Sequence, residues 1–77
     1  MKSSPKERIL AVERILYRHR EGISMKEILA ALEREYDIKA ERKSIYDDLA
    51  VLTRYLPIDV DSSPGRYTRY VLLESLM

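Results

Sequence analysis

The spacing of apolar residues changes at Pro57, and that change limits what the chain can fold into. Before it, side chains of one face recur at three- and four-residue steps. Ile9, Val12, Leu16 and His19 form one such stripe, with Ile15 beside them. Ile28, Leu29 and Leu32 form a second, and Ile45, Leu49, Leu52 and Leu56 a third. After Pro57, "IDVD" alternates apolar and acidic, and "YTRYVLL" is a β-branched and aromatic run. Steps of three and four line one face of a helix, whereas strict alternation lines one face of a strand. The order predicted is helix, helix, helix, hairpin.

The punctuation agrees with that order. Ser4, Pro5 and Glu7 make a capping box with proline at the first helical position, where its missing N–H costs nothing. Gly22 is the expected stop of helix one, because glycine tolerates the left-handed backbone that ends helices. Ser24 and Glu27 form a second capping box for a helix that runs to Tyr36, with Met25 at its start. Ile23, between the two helices, is placed to form a single short strand. "DIKA" is a short connection with Ile38 as a core plug. The third helix spans about 41–56, and the residue before Pro57 is pushed out of helical geometry. "SSPGR" places proline and glycine at the two central positions of a type II turn. The expected fold class is α+β, mainly α: a winged helix-turn-helix of three helices followed by a β-hairpin wing.

Size and composition bound the rest. The chain has 77 residues, enough for a single domain spanning 1–77, and a domain this small buries only about 60–65% of its unfolded surface. There is no cysteine, so disulfides and thiolate metal sites contribute nothing. Hydrophobic residues make up 45% and charged residues 35%, a balance that suits a folded domain rather than a disordered one. No apolar run approaches the roughly 18 residues of a membrane span, and no signal-peptide pattern precedes helix one; a cytoplasmic setting without membrane contact is expected. Fourteen basic residues face thirteen acidic ones, for a net charge of +1. Any positive surface must therefore be made by folding.

"YDIKAERKSIYDDLAVL" resembles the N-terminal DNA-binding domain of bacterial WYL-domain transcriptional regulators. The matching positions are Tyr36, Ile38, Arg42, Lys43, Ile45, Tyr46, Asp48 and Leu52, with Ser44 where threonine is usual. "RILAVERILY" is similar to that family's first helix and "GRYTRYVL" to its wing. The resemblance implies a winged helix-turn-helix that binds double-stranded DNA. Two departures stand out. Asp47 occupies a position where the family usually carries arginine, and no WYL-type effector domain follows within the 77 residues. The chain is thus either part of a longer regulator, with an effector domain or protein partner elsewhere, or a free-standing winged helix.

With the core face of helix three fixed by its leucines, about 100° per residue places Lys43, Asp47, Ala50 and Arg54 on the opposite side, flanked by Ser44 and Tyr46. In a helix-turn-helix the front of this helix enters the major groove. Lys43 there can donate to guanine, and Asp47 can accept from the cytosine amino group. Arg42 and Tyr46 suit phosphate contacts. Asp48 lies nearer the core, with a structural bond to a backbone or tyrosine partner expected. Arg66 and Arg69 flank the wing turn. They either reach the DNA backbone or minor groove, where a narrow groove concentrates negative potential, or shield Asp59 and Asp61 on an exposed hairpin. The DNA-binding candidates are therefore Arg42, Lys43, Ser44, Tyr46, Asp47, Arg54, Arg66 and Arg69.

Arg8, Arg14, Arg18 and Arg20, with Glu7, Glu13 and Glu21 nearby, read as a solvated face of short-range ion pairs worth about 0.3–0.5 kcal/mol each. Lys2 and Lys6 are weaker candidates for phosphate contact. His19, the single histidine, reads as a packed or capping residue. Serines fall at caps and turns, and no glycine-rich phosphate loop exists. No catalytic residue, metal or cofactor is expected, and the chain does not read as an enzyme. The tyrosines suit a core margin or an interface, and the apolar tail "YVLLESLM" either completes the core or packs on a second copy. The expected activity is sequence-specific DNA binding by a homodimeric transcriptional regulator. The competing reading is a winged helix used for protein association or dimerisation without nucleic acid, favoured by the neutral charge and by Asp47.

Overall fold

A computed structural model describes residues 4–62 and 68–73. Helix α1 spans Pro5–Arg18, strand β1 Ile23–Ser24, helix α2 Met25–Tyr36, helix α3 Arg42–Tyr55, strand β2 Ile58–Asp61 and strand β3 Arg69–Leu72. The protein is mainly helical, with an antiparallel three-stranded sheet in the order β1-β3-β2. This order is compatible with a winged-helix-like arrangement. Among the described residues no helix is long and apolar enough to cross a membrane.

Both expected capping boxes form. The Ser4 hydroxyl accepts from the Glu7 N–H at 3.1 Å, while the Glu7 carboxylate accepts from the Ser4 N–H at 3.2 Å. Ser24 and Glu27 repeat the exchange at 3.3 and 3.0 Å. Each box satisfies backbone donors that the first helical turn leaves without partners. Helix α1 ends earlier than expected, at Arg18 with His19 as its C-cap. The His19 N–H still donates to Ile15 and Leu16. Gly22 serves three residues later: its φ of +115° turns the chain into β1. Asp37 closes α2 in the left-handed conformation at φ 56°, a setting in which aspartate is tolerated better than most residues. Ile38 then donates back to the Leu32 carbonyl at 3.0 Å and buries its side chain as the expected plug.

Val12, Ile15, Leu16, Ile28, Leu32 and Ile45 are fully buried at the meeting of the three helices. Helix α1 packs on both α2 and α3. Ala11 and Ala31 complete that core at its close approaches, positions that the stripes of large side chains do not mark. In the sheet, Tyr70 pairs with Ile23 on one side and Val60 on the other, and Leu72 pairs with Ile58. Directly opposed residues share a face, so Ile23, Tyr70 and Leu72 are buried together beneath the helices. Strand β1, only two residues long, thereby ties the segment between α1 and α2 to the hairpin. The Leu73 N–H donates to the Pro57 carbonyl at 2.7 Å and fastens the base of the hairpin to the end of α3.

Two arginines of α1 depart from the short-range pairs expected of them. Arg18 reaches Glu35 on α2 at 2.6 Å. Arg8 grips Asp48 on α3 through two parallel contacts, 2.6 and 3.0 Å long. The partner of Asp48 is therefore an arginine 40 residues away, not the backbone or tyrosine group expected. Periodicity places Asp48 beside the core but says nothing of which distant side chain meets it.

Candidate nucleic-acid interface

The core contacts of Ile45, Leu49 and Leu52 fix the rotation of α3. Arg42, Lys43, Tyr46, Asp47, Ala50 and Arg54 are all exposed, and Ser44 is half-buried. At about 100° per residue, Lys43, Asp47, Ala50 and Arg54 lie opposite the core line. Arg42 and Tyr46 fall on one flank, and Asp48 on the other, beside α1. The candidates on α3 thus divide between an outward face and a flank.

That flank borders a cleft of about 790 Å³ formed by the first turn of α2, the first turns of α3 and strand β3. Lys26, Glu27, Arg42, Tyr46, Arg69 and Tyr70 line it. Three cations meet one carboxylate there, although the whole chain is nearly neutral. Folding therefore makes the local positive surface that composition alone does not supply. Arg69 joins Arg42 and Tyr46 because β3 is the middle strand and runs past the start of α2. Lys26 is the member that sequence reasoning missed. Its only signal is its position in the turn after the Ser24 cap, and that has meaning only once β3 is known to lie alongside.

Glu27 is held in its charged form below the usual carboxylate range, chiefly by the backbone and hydroxyl hydrogen bonds of Ser24, with the fields of Arg69 and His19 adding less. Its charge is thus committed to the α2 cap. Tyr70 is pushed above the usual phenol range, first by burial and then by its neighbour Tyr46. Tyr46 lines the cleft while remaining 51% exposed.

Asp47 and Asp48 have different surroundings. Asp48 is the one buried charged side chain among the described residues, and Arg8 is its partner. Asp47 stays exposed. The Arg8 guanidinium is stabilised first by its hydrogen bonds to Asp48, and more weakly by the fields of Asp48 and Asp47. Asp47 therefore sits within reach of a positive field while its carboxylate faces outward. Unlike α1 and α2, helix α3 starts without a side-chain cap, so the first N–H groups of this helix have no side-chain acceptor.

On the hairpin, Arg69 stands directly across from Asp61 on β2 and Ser24 on β1. It is thus placed both to offset the acidic strand and to line the cleft. Ser62 and Thr68 share a hydroxyl hydrogen bond of 3.1 Å where the two strands part. Arg66 lies outside the described residues, as do Lys2, the turn at 63–65, Tyr67 and the tail beyond Leu73. No group of histidine and acidic residues suited to hold a metal ion occurs among the described residues. Comparisons of the chain with protein-family models, with curated proteins and with solved structures returned no match.

Proposed function

We propose that the chain is a winged helix-turn-helix domain that binds double-stranded DNA with sequence preference, as the resemblance to WYL-domain regulators implies. Helix α3 enters the major groove. Lys43 and Asp47 face base edges, with Ser44 and Arg54 at the margins, while Arg42 and Tyr46 contact phosphates. The hairpin wing, through Arg69 and Arg66, follows the backbone or the minor groove. The domain has no catalytic role and works as a cytoplasmic homodimer on two half-sites about 34–36 Å apart.

One observation carries this reading. The exposed flank of α3 opens onto a cleft where Lys26, Arg42 and Arg69 converge in a chain whose net charge is only +1. Concentrating cations beside an exposed helix face favours a polyanion, because neutralising phosphates releases condensed counterions. Asp47 lowers non-specific affinity but selects cytosine, which accounts for an acidic residue on a groove-facing helix.

The test is selection from a pool of random duplex DNA with sequencing, repeated across salt concentrations. The expected result is an enriched, two-fold-symmetric motif whose retention falls steeply with salt. No enrichment, with no retention even at low salt, would favour the second reading, a winged-helix module for protein association. Asp47 and the overall neutrality support that alternative.

A further inference from the structure

We infer that Arg8 is a positioning residue for α3, and that its two-pronged grip on Asp48 sets the rotation of the helix against α1. The rest of the α1–α3 contact is apolar, and apolar burial is non-directional. Ile45, Leu49 and Leu52 share one buried apolar cluster with Val12 and Ile15, and volume-conserving repacking of such a cluster costs less than about 1.5 kcal/mol. A guanidinium donating to both oxygens of one carboxylate has a fixed planar geometry. The pair spans 40 residues, with contacts of 2.6 and 3.0 Å, and the Asp48 side chain is only 8% exposed. It is the one directional side-chain link between α1 and α3 that the described residues make.

Rotation matters because it decides which residues of α3 face outward. A turn of about 20° at a helix radius of about 5–6 Å moves a side-chain tip by about 2 Å. That is several times the tolerance of about 0.5 Å for a working contact. Lys43 and Asp47, exposed on the side away from the core, would be carried by that distance. Arg8 also disposes of one of two adjacent carboxylates. With Asp48 engaged on the flank beside α1, Asp47 is the carboxylate that the outward face presents. That consequence for base reading rests on the proposed DNA function; the effect on helix rotation does not.

Two variants test this. Arg8→Met combined with Asp48→Leu removes both charges, a change that buried pairs often tolerate without loss of stability. Arg8→Lys keeps the charge and loses the fork. Amide NMR of residues 42–55 in the absence of DNA reports the rotation directly. Broadened or duplicated α3 resonances are expected in the double variant, and shifted ones in Arg8→Lys, with α2 unchanged. Discrimination between the selected duplex and a scrambled one should fall about tenfold, the scale of one lost base contact. Parent-like α3 spectra in both variants would overturn the positioning role whether or not the protein binds DNA. Should the parent enrich no duplex, the DNA reading falls, and the spectra still decide the role of Arg8.

Discussion

Tyr46, on the exposed flank of α3, and Tyr70, buried on the middle strand, line the same cleft, and Tyr46 helps to raise the Tyr70 phenol above its ordinary value. Their proximity joins the candidate interface to the core.

This pair predicts alkaline sensitivity. Burial and Tyr46 raise the Tyr70 phenol above its ordinary value, so the folded state holds this proton more tightly than the unfolded chain. The stabilisation is complete below the unfolded value of about 10 and disappears as pH rises through the folded value. Chemical denaturation at rising pH should therefore weaken the parent more steeply above pH about 10 than Tyr70→Phe. Parallel alkaline limbs would remove Tyr70 as the cause.

Gly22→Ala should destabilise for two separable reasons. The backbone there has φ +115°, and an added Cβ would stand 3.2 Å from Val71 Cγ2. A loss of about 1–2 kcal/mol is expected in denaturant titration. Combining it with Val71→Ala should recover the steric share and leave the backbone share. Full recovery would mean that the left-handed turn carries no strain.

Ser24→Ala removes the α2 cap at a cost of about 1 kcal/mol. It should also let Glu27 titrate nearer its ordinary value of 4.5. A carboxylate whose folded value is depressed stabilises above the unfolded value and loses that effect as pH falls through the folded one. The parent should therefore weaken more than the variant on acidification below pH about 4.5. Side-chain carboxyl NMR titration of Glu27 checks this directly, and an unmoved midpoint would point to Arg69 as the main cause.

On DNA, the candidates should separate by behaviour. Arg42→Ala and Arg69→Ala should weaken all duplexes alike and each reduce the salt slope by about 1. Lys43→Ala should relax one base position at a cost of about 1–3 kcal/mol and leave the others intact. Asp47→Arg should raise affinity for unrelated duplexes. If all four behave as the parent in fluorescence anisotropy titrations, α3 is not the reading element.

The helices were legible because their signals are local. Two serine–glutamate boxes, three periodic stripes and one proline lie within a few turns of the structures they specify. Even the two-residue strand at Ile23 was anticipated, although its partner was not. What escaped was long-range: Arg8 with Asp48, Arg18 with Glu35, and Lys26 beside Arg69. Asp48 lies three residues from Ile45 and four from Leu52, which marks it as a core-edge carboxylate in need of a partner, and a backbone or tyrosine group was the partner expected. Only the packing of α1 across α3 brings Arg8 to it. Helix one was expected to reach Gly22, but His19 takes the C-cap, because glycine's left-handed freedom can serve a turn as well as a cap.

The placement of β3 between β1 and β2 has a consequence for how the protein is made. Both outer strands are synthesised before the strand that joins them, and Ile23 waits for Tyr70 to emerge from the ribosome. Until then the three helices can gather around Leu16, Leu32 and Ile45, with no sheet to cover their lower side. Closure of that side requires β3, so a chain cut before residue 69 would leave Ile23 without its strand partner and that side of the core open to solvent.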